Sequence, residues 1–233
     1  MSTEQLHTNG YTVINGIFTH QEIGLISESI FQADSSKSTF RKTKDLFAIR
    51  QFVKGIPGIK PLIFNEKMNA IVCKYFGKDY FIVKSIYFDK PEDSNWFVAW
   101  HQDLTISVHK KLDLPGFGSW TVKQDQYSVQ PPLGVLENIF TIRIHLDDTD
   151  EKNGALRVIP GSHLKGIQRY SPDESKHKEE VCNVQSGGIM IMRPLLLHAS
   201  NRTKNTSRRR VIHIEFCNLH LPEGLNWAEF QAS

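Results

Sequence analysis

The sequence is poor in cysteine and lacks any long apolar run. Three cysteines occur among 233 residues, Cys73, Cys182 and Cys217, and none lies in a CxxC pair. An odd number without that spacing argues against a disulfide framework and against a thiolate zinc site. No apolar stretch approaches the roughly 20 residues that span a bilayer. The start, MSTEQLHTNG, has neither the basic nor the apolar segment of a signal peptide. We therefore expect a cytoplasmic protein with no membrane partner.

Strong charge of either sign is also missing. The 28 Lys and Arg residues nearly balance the 25 Asp and Glu residues, and the net charge of +3 is too small to indicate a nucleic-acid partner. A 39% hydrophobic and 23% charged composition is typical of a soluble globular protein. Without an internal repeat, low-complexity tract or linker, the sequence predicts one domain over 1–233. Ten histidines stand out, because histidine ligates metals and moves protons near neutral pH.

The N-terminal part, about 1–79, is predicted to be mainly helical with a strand or two. Thr19-His20-Gln21-Glu22 is a capping-box pattern, and isoleucines follow it at helical spacing, which predicts a helix over 19–33. A second apolar stripe predicts a helix over 65–76 that ends before Gly77. Both stripes are interpreted as faces that pack on a larger core.

From Tyr80 onwards the pattern changes to short runs rich in Val, Ile and Phe. These runs predict strands at 81–88, 97–103, 140–146, 155–159, 188–192 and 209–216. Because they do not alternate with helices, an antiparallel sandwich or barrel over about 80–218, with helices packed outside, is favoured over a parallel sheet. The long connection at about 105–137, with Trp120 and Tyr127, is expected to be a lid-like loop that supplies most of the substrate specificity.

Two histidines are each followed by an aspartate two residues later. His101-Gln102-Asp103 and His145-Leu146-Asp147 would each place both side chains on one face of a strand. With a distant third histidine, such a pair forms the two-histidine, one-carboxylate site of non-haem Fe(II) oxygenases. Spacing alone leaves both pairs open. For either pair by itself, an ordinary hydrogen-bonded or surface pair is the more common outcome.

The third histidine is predicted near the end of the chain. His198 follows the apolar run PLLL, and a polar turn then leads to Arg208-Arg209-Arg210 at the start of a strand. A guanidinium pairs bidentately with a carboxylate, as binding of a dicarboxylate co-substrate requires. Strand alternation puts Arg209 on one face and its two neighbours on the other, and only one face can line a barrel. A solvated basic turn is the alternative for these arginines.

Three segments resemble one known family. WHQDL (100–104), RIHLDDTDEKNGALRVIPGSH (143–163) and PLLLHASNRTKNTSRRR (194–210) resemble the phytanoyl-CoA dioxygenase-like family of Fe(II)/2-oxoglutarate oxygenases, and so does the N-terminal NGYTVINGIF. The resemblance extends from about 9 to 216. It implies a mainly β fold with flanking helices, a double-stranded β-helix of the jelly-roll or cupin-like kind, with the N-terminal helices packed outside.

The resemblance also implies roles for particular residues. It makes His101, Asp103 and His198 the metal ligands and catalytic residues, whereas Asp147 and Asp148 become turn residues. Arg209 is the implied partner of the far carboxylate of 2-oxoglutarate, ahead of Arg208 and Arg210. The further candidates for binding this co-substrate are Ser200, Arg143 and Lys84, although a surface cation is the more common alternative for Lys84.

The implied activity is that of a dioxygenase using Fe(II), 2-oxoglutarate and O2. We expect hydroxylation of an unactivated C–H bond of a small-molecule metabolite, with release of succinate and CO2; desaturation, epimerisation and ring formation are alternative outcomes. Asp103 disfavours halogenation, because related halogenases carry Gly or Ala there. A nucleic-acid repair oxygenase is disfavoured, since no arginine follows Arg208, Arg209 or Arg210 by six residues. A metal- and 2-oxoglutarate-binding barrel without catalysis, acting as a sensor, remains an alternative.

Overall fold

A computed structural model gives the structure of the protein and describes residues 3–43, 47–91, 97–123, 126–170 and 178–230. The α-helices within these residues are α1 (Thr3–Asn9), α2 (His20–Phe31), α3 (Phe52–Gly55), α4 (Ile59–Ile63), α5 (Glu66–Phe76) and α6 (Leu133–Leu136). The strands are β1 (Tyr11–Ile14), β2 (Phe40–Lys42), β3 (Phe47–Arg50), β4 (Phe81–Lys90), β5 (Val98–His101), β6 (Ile106–Val108), β7 (Gly118–Lys123), β8 (Gln126–Gln130), β9 (Ile139–His145), β10 (Leu156–Val158), β11 (Glu180–Val181), β12 (Ile189–Met192), β13 (His198–Ser200) and β14 (Arg209–Cys217).

Two antiparallel sheets form the barrel. The large sheet has seven strands in the order β1-β12-β9-β14-β4-β3-β2, and the small sheet has four in the order β11-β10-β13-β5. Residues from both sheets line one cavity between them. The expected mainly β class, with a two-sheet jelly-roll arrangement, is therefore confirmed. Every strand pair in these two sheets is antiparallel, which explains why the predicted strands do not alternate with crossover helices.

The N-terminal helices cover the outer face of the large sheet. Alternate residues of β9 and β14, the isoleucines at 142, 144, 212 and 214, are buried in the same apolar core as the isoleucines of α2. Both predicted helices are confirmed. Thr19 and Glu22 make a complete capping box at the start of α2, while Asn65 caps α5 and Gly77 ends it. No helix within the described ranges is long and apolar enough to cross a membrane.

Two stretches contain more strand than the sequence indicates. The N-terminal part, expected to be mainly helical, contributes β1, β2 and β3 to the large sheet. The expected loop at 105–137 contains α6 and a separate three-stranded sheet, β6-β8-β7. Its strands are short, but Ile106, Val108 and Val129 are fully buried in a second apolar core, on which Trp120 and Tyr127 also pack. Burial against the end of the chain therefore orders this segment, and both aromatic side chains hold it in place.

The C-terminal segment is attached to β4 by a buried carboxylate. Glu229 accepts a hydrogen bond of 2.6 Å from the backbone N–H of Ser85 and another from the Ser85 hydroxyl. Ser85 is next to Lys84, which lines the cavity between the sheets. Burial raises the pKa of Glu229 to about 7, although both hydrogen bonds favour the ionised form.

The raised pKa of Glu229 predicts a pH-dependent stability. The folded state holds this proton more tightly than the unfolded state, so the free energy of unfolding should fall as pH rises from about 4.5 to about 7, by up to roughly 3 kcal/mol. Glu229→Gln cannot ionise and should lose this component of the pH dependence. Urea denaturation at several pH values measures it, with Glu223→Gln, at an exposed position, as the matched control. The prediction would be contradicted if the free energy of unfolding had the same pH dependence in Glu229→Gln as in the wild type.

Candidate active site

Two neighbouring strands of the small sheet bring the candidate metal ligands together. β5 and β13 pair so that His101 and His198 lie directly opposite each other. The His101 and His198 Nδ1 atoms lie 2.8 Å and 2.9 Å from the backbone oxygens of Ala99 and Leu196. A carbonyl oxygen only accepts, so each Nδ1 carries the hydrogen and each Nε2 presents its lone pair.

Asp103 completes the cluster. Its carboxylate oxygens lie 3.8 Å from Nε2 of His101 and 3.7 Å from Nε2 of His198. The ligand atoms of the three residues all lie within 4.8 Å of one another, the separation expected of groups around one metal ion. This is the only such group of three or more potential ligands that the described residues contain.

The charge states of the cluster suit a divalent cation. Burial alone would favour the neutral acid, but the nearby His198, His213 and Lys84 outweigh it and hold the pKa of Asp103 well below its ordinary value. Burial lowers the pKa of His198 to about 4, against the opposing attraction of Asp103. Carboxylate and imidazole are therefore both unprotonated at neutral pH, as metal ligation requires.

The middle residue of the motif fixes the position of Asp103. Gln102 points away from the cluster and donates hydrogen bonds from Nε2 to the backbone oxygens of Leu195 (2.6 Å) and Gly166 (2.9 Å). Its Oε1 accepts a hydrogen bond of 2.7 Å from the backbone N–H of Gln168. All hydrogen-bonding groups of this amide are thereby used within the protein. This role of Gln102 was not predicted from the sequence, although strand alternation already separates Gln102 from its two neighbours.

The cluster opens into a cavity of about 240 Å³ between the large and small sheets. Its lining residues are Lys84, Ile86, Phe88, Val98, His101, Asp103, Arg143, Leu156, His198, Ser200, Arg209 and His213. All seven residues singled out in the sequence as candidate site residues are among them. In contrast, the described residues of the segment 105–137, expected to form a lid, do not contribute to this lining.

Of the three consecutive arginines, one faces the cavity. Arg209 is 6% exposed, and its Nε and Nη1 atoms have no hydrogen-bond partner among the described residues. Arg208 pairs with Asp89, and Arg210 pairs with Asp147 at 2.6 Å. Burial, reinforced by the charge of Arg143, lowers the pKa of Arg209 to about 9. A buried guanidinium without a partner is costly, so this position is suited to receive a carboxylate.

A buried lysine lies beside Arg209. Lys90 is directly opposite it in the pairing of β14 with β4 and is 1% exposed. Its ammonium group donates a hydrogen bond of 2.9 Å to the backbone oxygen of Asn201. Burial and the charge of Arg209 lower the pKa of Lys90 to about 8. No sequence pattern indicates Lys90 as a site residue, because only the strand register places it next to Arg209.

The three softer candidates all lie in the cavity with partners of their own. Lys84 is not a surface cation: its side chain is 16% exposed and its ammonium group lies 2.7 Å from Glu215. The Nη1 atom of Arg143 donates to Nδ1 of His213 at 3.1 Å. The Ser200 hydroxyl donates to the backbone oxygen of Gly154 at 2.9 Å, so donation to a bound carboxylate requires this hydroxyl to turn.

The rival pair does not build a second metal site. Nδ1 of His145 lies 2.8 Å from the Thr149 hydroxyl, and its Nε2 is buried without a partner in the described part of the chain. Burial and the nearby arginines hold the pKa of His145 well below its ordinary value. Asp147 lies beyond the end of β9 and pairs with Arg210, which also contacts Ser27 of α2 on the helix side of the large sheet, so the two residues of the motif are separated.

Comparison with known sequences gives one family over most of the chain. The family described as "Phytanoyl-CoA dioxygenase (PhyH)" matches residues 6–211. A protein of Stutzerimonas stutzeri, described as "Probable alpha-ketoglutarate-dependent hypophosphite dioxygenase", is 25% identical over 239 residues, which cover 89% of this chain and 74% of that protein.

Solved structures share the fold. EctD from S. alaskensis, crystallised with 2-oxoglutarate and 5-hydroxyectoine, superposes with a TM-score of 0.70 at 17% identity, over 92% of this chain and 74% of that one. EvdMO1 superposes with a TM-score of 0.67 at 17% identity; the match covers 93% of this chain but 49% of EvdMO1, so the chain spans about half of that protein. At 17% sequence identity, the structural similarity establishes the fold alone.

The two arginine environments predict opposite effects on stability. In the absence of any ligand, Arg209→Met removes a buried charge that has no partner in the described structure and should stabilise the protein by roughly 1 to 2 kcal/mol. Arg210→Met breaks the ion pair with Asp147 and should destabilise it by about 1 kcal/mol. Thermal denaturation of both variants measures the difference, and a lower melting temperature for Arg209→Met than for Arg210→Met would contradict it.

Proposed function

The chain belongs to the phytanoyl-CoA dioxygenase family, and on that premise we propose that it hydroxylates an unactivated C–H bond of a small-molecule metabolite with Fe(II), 2-oxoglutarate and O2. One observation carries the proposal: two histidines and an aspartate lie in the same cavity as a buried arginine that has no partner among the described residues. The cluster suits the metal and the arginine suits a dicarboxylate co-substrate.

We assign the metal to His101, Asp103 and His198. Their two imidazoles and one carboxylate are the donor set of non-haem Fe(II) oxygenases, which leaves further coordination positions for co-substrate and oxygen. When bound, the iron and 2-oxoglutarate supply the oxidising power, with succinate and CO2 released and oxygen delivered to the substrate. Gln102 keeps Asp103 in place, and the backbone oxygens of Ala99 and Leu196 hold the imidazoles.

We assign the far carboxylate of 2-oxoglutarate to Arg209. The Nε and Nη atoms of a guanidinium form a planar fork that matches a carboxylate, and two of the nitrogens in this one are unpartnered in the described structure. Lys90 adds a second positive charge at the same level of the barrel. The Ser200 hydroxyl donates a further hydrogen bond to this carboxylate once it turns away from the backbone oxygen of Gly154. The apolar wall of Ile86, Phe88, Val98 and Leu156 excludes water from the reacting groups.

Hydroxylation is the preferred outcome among those open to this site. The carboxylate of Asp103 occupies the position that a halide would need, which disfavours halogenation. Epimerisation, desaturation and ring formation would use the same ligands and differ in how the substrate is placed. The relative from Stutzerimonas stutzeri is named for hypophosphite, which has P–H bonds and no C–H bond, so oxygenation of a small oxyanion at P–H is an alternative to C–H hydroxylation.

The metal assignment predicts a spectroscopic signal that depends on His198. Anaerobic addition of Fe(II) and 2-oxoglutarate to the wild type should produce a weak visible charge-transfer band, because the co-substrate chelates the metal. His198→Ala should abolish the band, and His20→Ala, which changes an exposed histidine at the start of α2, should retain it. No band in the wild type, or a persistent band in His198→Ala, would refute the assignment.

Turnover distinguishes an enzyme from a sensor. We expect at least one compound in a panel of lipophilic acids, acyl-CoA thioesters, free amino acids and small oxyanions to stimulate succinate release well above the uncoupled rate. Succinate is measured with and without each compound, and His198→Ala provides the blank. If 2-oxoglutarate binds but no compound in such panels ever couples to its turnover, the sensor alternative is favoured.

A further inference from the structure

Four buried polar side chains form a continuous hydrogen-bonded chain across three strands of the large sheet. Lys84 on β4 lies 2.7 Å from Oε1 of Glu215 on β14, and Nε2 of His213 lies 3.0 Å from the same oxygen. The Nδ1 atom of His213 then lies 3.1 Å from Nη1 of Arg143 on β9. Lys84, His213 and Arg143 line the cavity that contains the metal-binding cluster.

The chemistry of these contacts fixes the protonation of the chain. A guanidinium only donates, so Nδ1 of His213 accepts and its Nε2 carries the hydrogen that is donated to Glu215. His213 is therefore neutral. Burial lowers its pKa despite the neighbouring Glu215, in agreement with this tautomer. Lys84 and Glu215 compensate each other, and the chain retains one positive charge, on Arg143.

No carboxylate is paired directly with that charge. Arg143 makes no ion pair within the described residues, and its Nε has no hydrogen-bond partner there. In the loaded site, Asp103 and the chelating carboxylate of 2-oxoglutarate would balance a divalent metal, while the far carboxylate would balance Arg209. Arg143 would then remain uncompensated, and Lys90 next to Arg209 would add to the positive excess. Burying such a charge is costly unless an anion joins it.

Arg143 also lies at the metal end of the cavity. Arg143 is hydrogen-bonded to His213. Along β14, His213 lies four residues after Arg209, so extended backbone of roughly 14 Å separates these two residues. Arg143 and Asp103 line the same cavity between the sheets, so the guanidinium shares that space with the candidate metal ligands. The arginine proposed to hold the co-substrate and Arg143 therefore start from different levels of the barrel.

We propose that the substrate carries an anionic group, a carboxylate or a small oxyanion, and that Arg143 binds it next to the metal. The inference rests on the proposed function and specifies its substrate class. Cavity size supports a small group: the volume of about 240 Å³ is below the roughly 300–1,000 Å³ of typical small-molecule pockets, and the co-substrate must share this space. Arg143 is then a specificity-determining residue, in addition to the residues that bind metal and co-substrate.

Binding of defined anions tests the proposal without turnover. Wild-type protein is loaded anaerobically with Fe(II) and 2-oxoglutarate and titrated with hypophosphite, with propionate and with neutral propionamide. The shift of the charge-transfer band and the heat of binding are both followed. We expect at least one of the two anions to bind about tenfold or more tightly than propionamide, because only an anion pairs with the guanidinium. Hypophosphite against propionate distinguishes a phosphorus oxyanion from a carboxylate.

Substitutions at Arg143 and Arg209 distinguish the binding roles proposed for these two residues. Arg143→Met should weaken binding of the anion about tenfold or more, while the Kd for 2-oxoglutarate changes less than about threefold. Arg143→Lys retains the charge and should restore part of the anion affinity. If Arg143→Met does not fold, Arg143→Lys replaces it in the comparison with the wild type. Arg209→Met should show the reverse pattern, with the larger loss for 2-oxoglutarate.

The possible failures are distinguishable. If the band forms but propionamide binds as tightly as both anions, or neither anion binds, the inference is wrong and the proposed function stands. The same holds if Arg143→Met weakens 2-oxoglutarate and leaves anion binding unchanged, since Arg143 would then serve the co-substrate. If the wild type forms no band, the proposed function fails and the inference fails with it.

Discussion

The pairing of β14 with β4 on one side and β9 on the other places the charged groups that surround the candidate metal ligands. Because side chains alternate along each strand, one face of β14 contributes isoleucines to the core beneath the N-terminal helices. The other face contributes Arg209, His213 and Glu215 to the barrel interior. Register then puts Lys90 opposite Arg209, Lys84 opposite Glu215 and Arg143 opposite His213. A slip of one residue would exchange the apolar and charged faces.

The interior combines an unusual amount of charge with a conventional core. Paired groups such as Lys84 and Glu215 compensate each other, whereas Arg209 and Arg143 lack carboxylate partners among the described residues. Two buried guanidiniums destabilise the ligand-free protein, and the extensive isoleucine core beneath the helices offsets that cost. Unpaired buried charge is retained in proteins where a ligand later pairs with it. The electrostatics of this cavity are thus better explained by bound anions than by stability.

Local signals predicted the elements they control. The capping box at Thr19 and the cap at Asn65 act within one turn of helix, so the bounds of α2 and α5 follow closely from the sequence. The six predicted strand runs correspond to β4, β5, β9, β10, β12 and β14, whereas the positions of β1, β2, β3, β11 and β13 were not predicted. The strands β6, β7 and β8 were missed, because they are short and are stabilised by burial against Trp227 and Leu195, far away in the chain. Such non-local packing leaves little trace in a window of residues.

The sequence by itself determined the chemistry of the site: two histidines and one aspartate in the spacing of a metal motif, an arginine on the inward face of the last strand, and a family pattern over most of the chain. Only the tertiary structure decided which of the buried lysine and arginine side chains are paired with a carboxylate. Lys84 and Glu215 are 131 residues apart, and Arg143 and His213 are 70 apart, and they meet through strand register alone. Charge balance depends on distances of a few ångströms between residues remote in sequence, and those distances exist only after the sheets have paired.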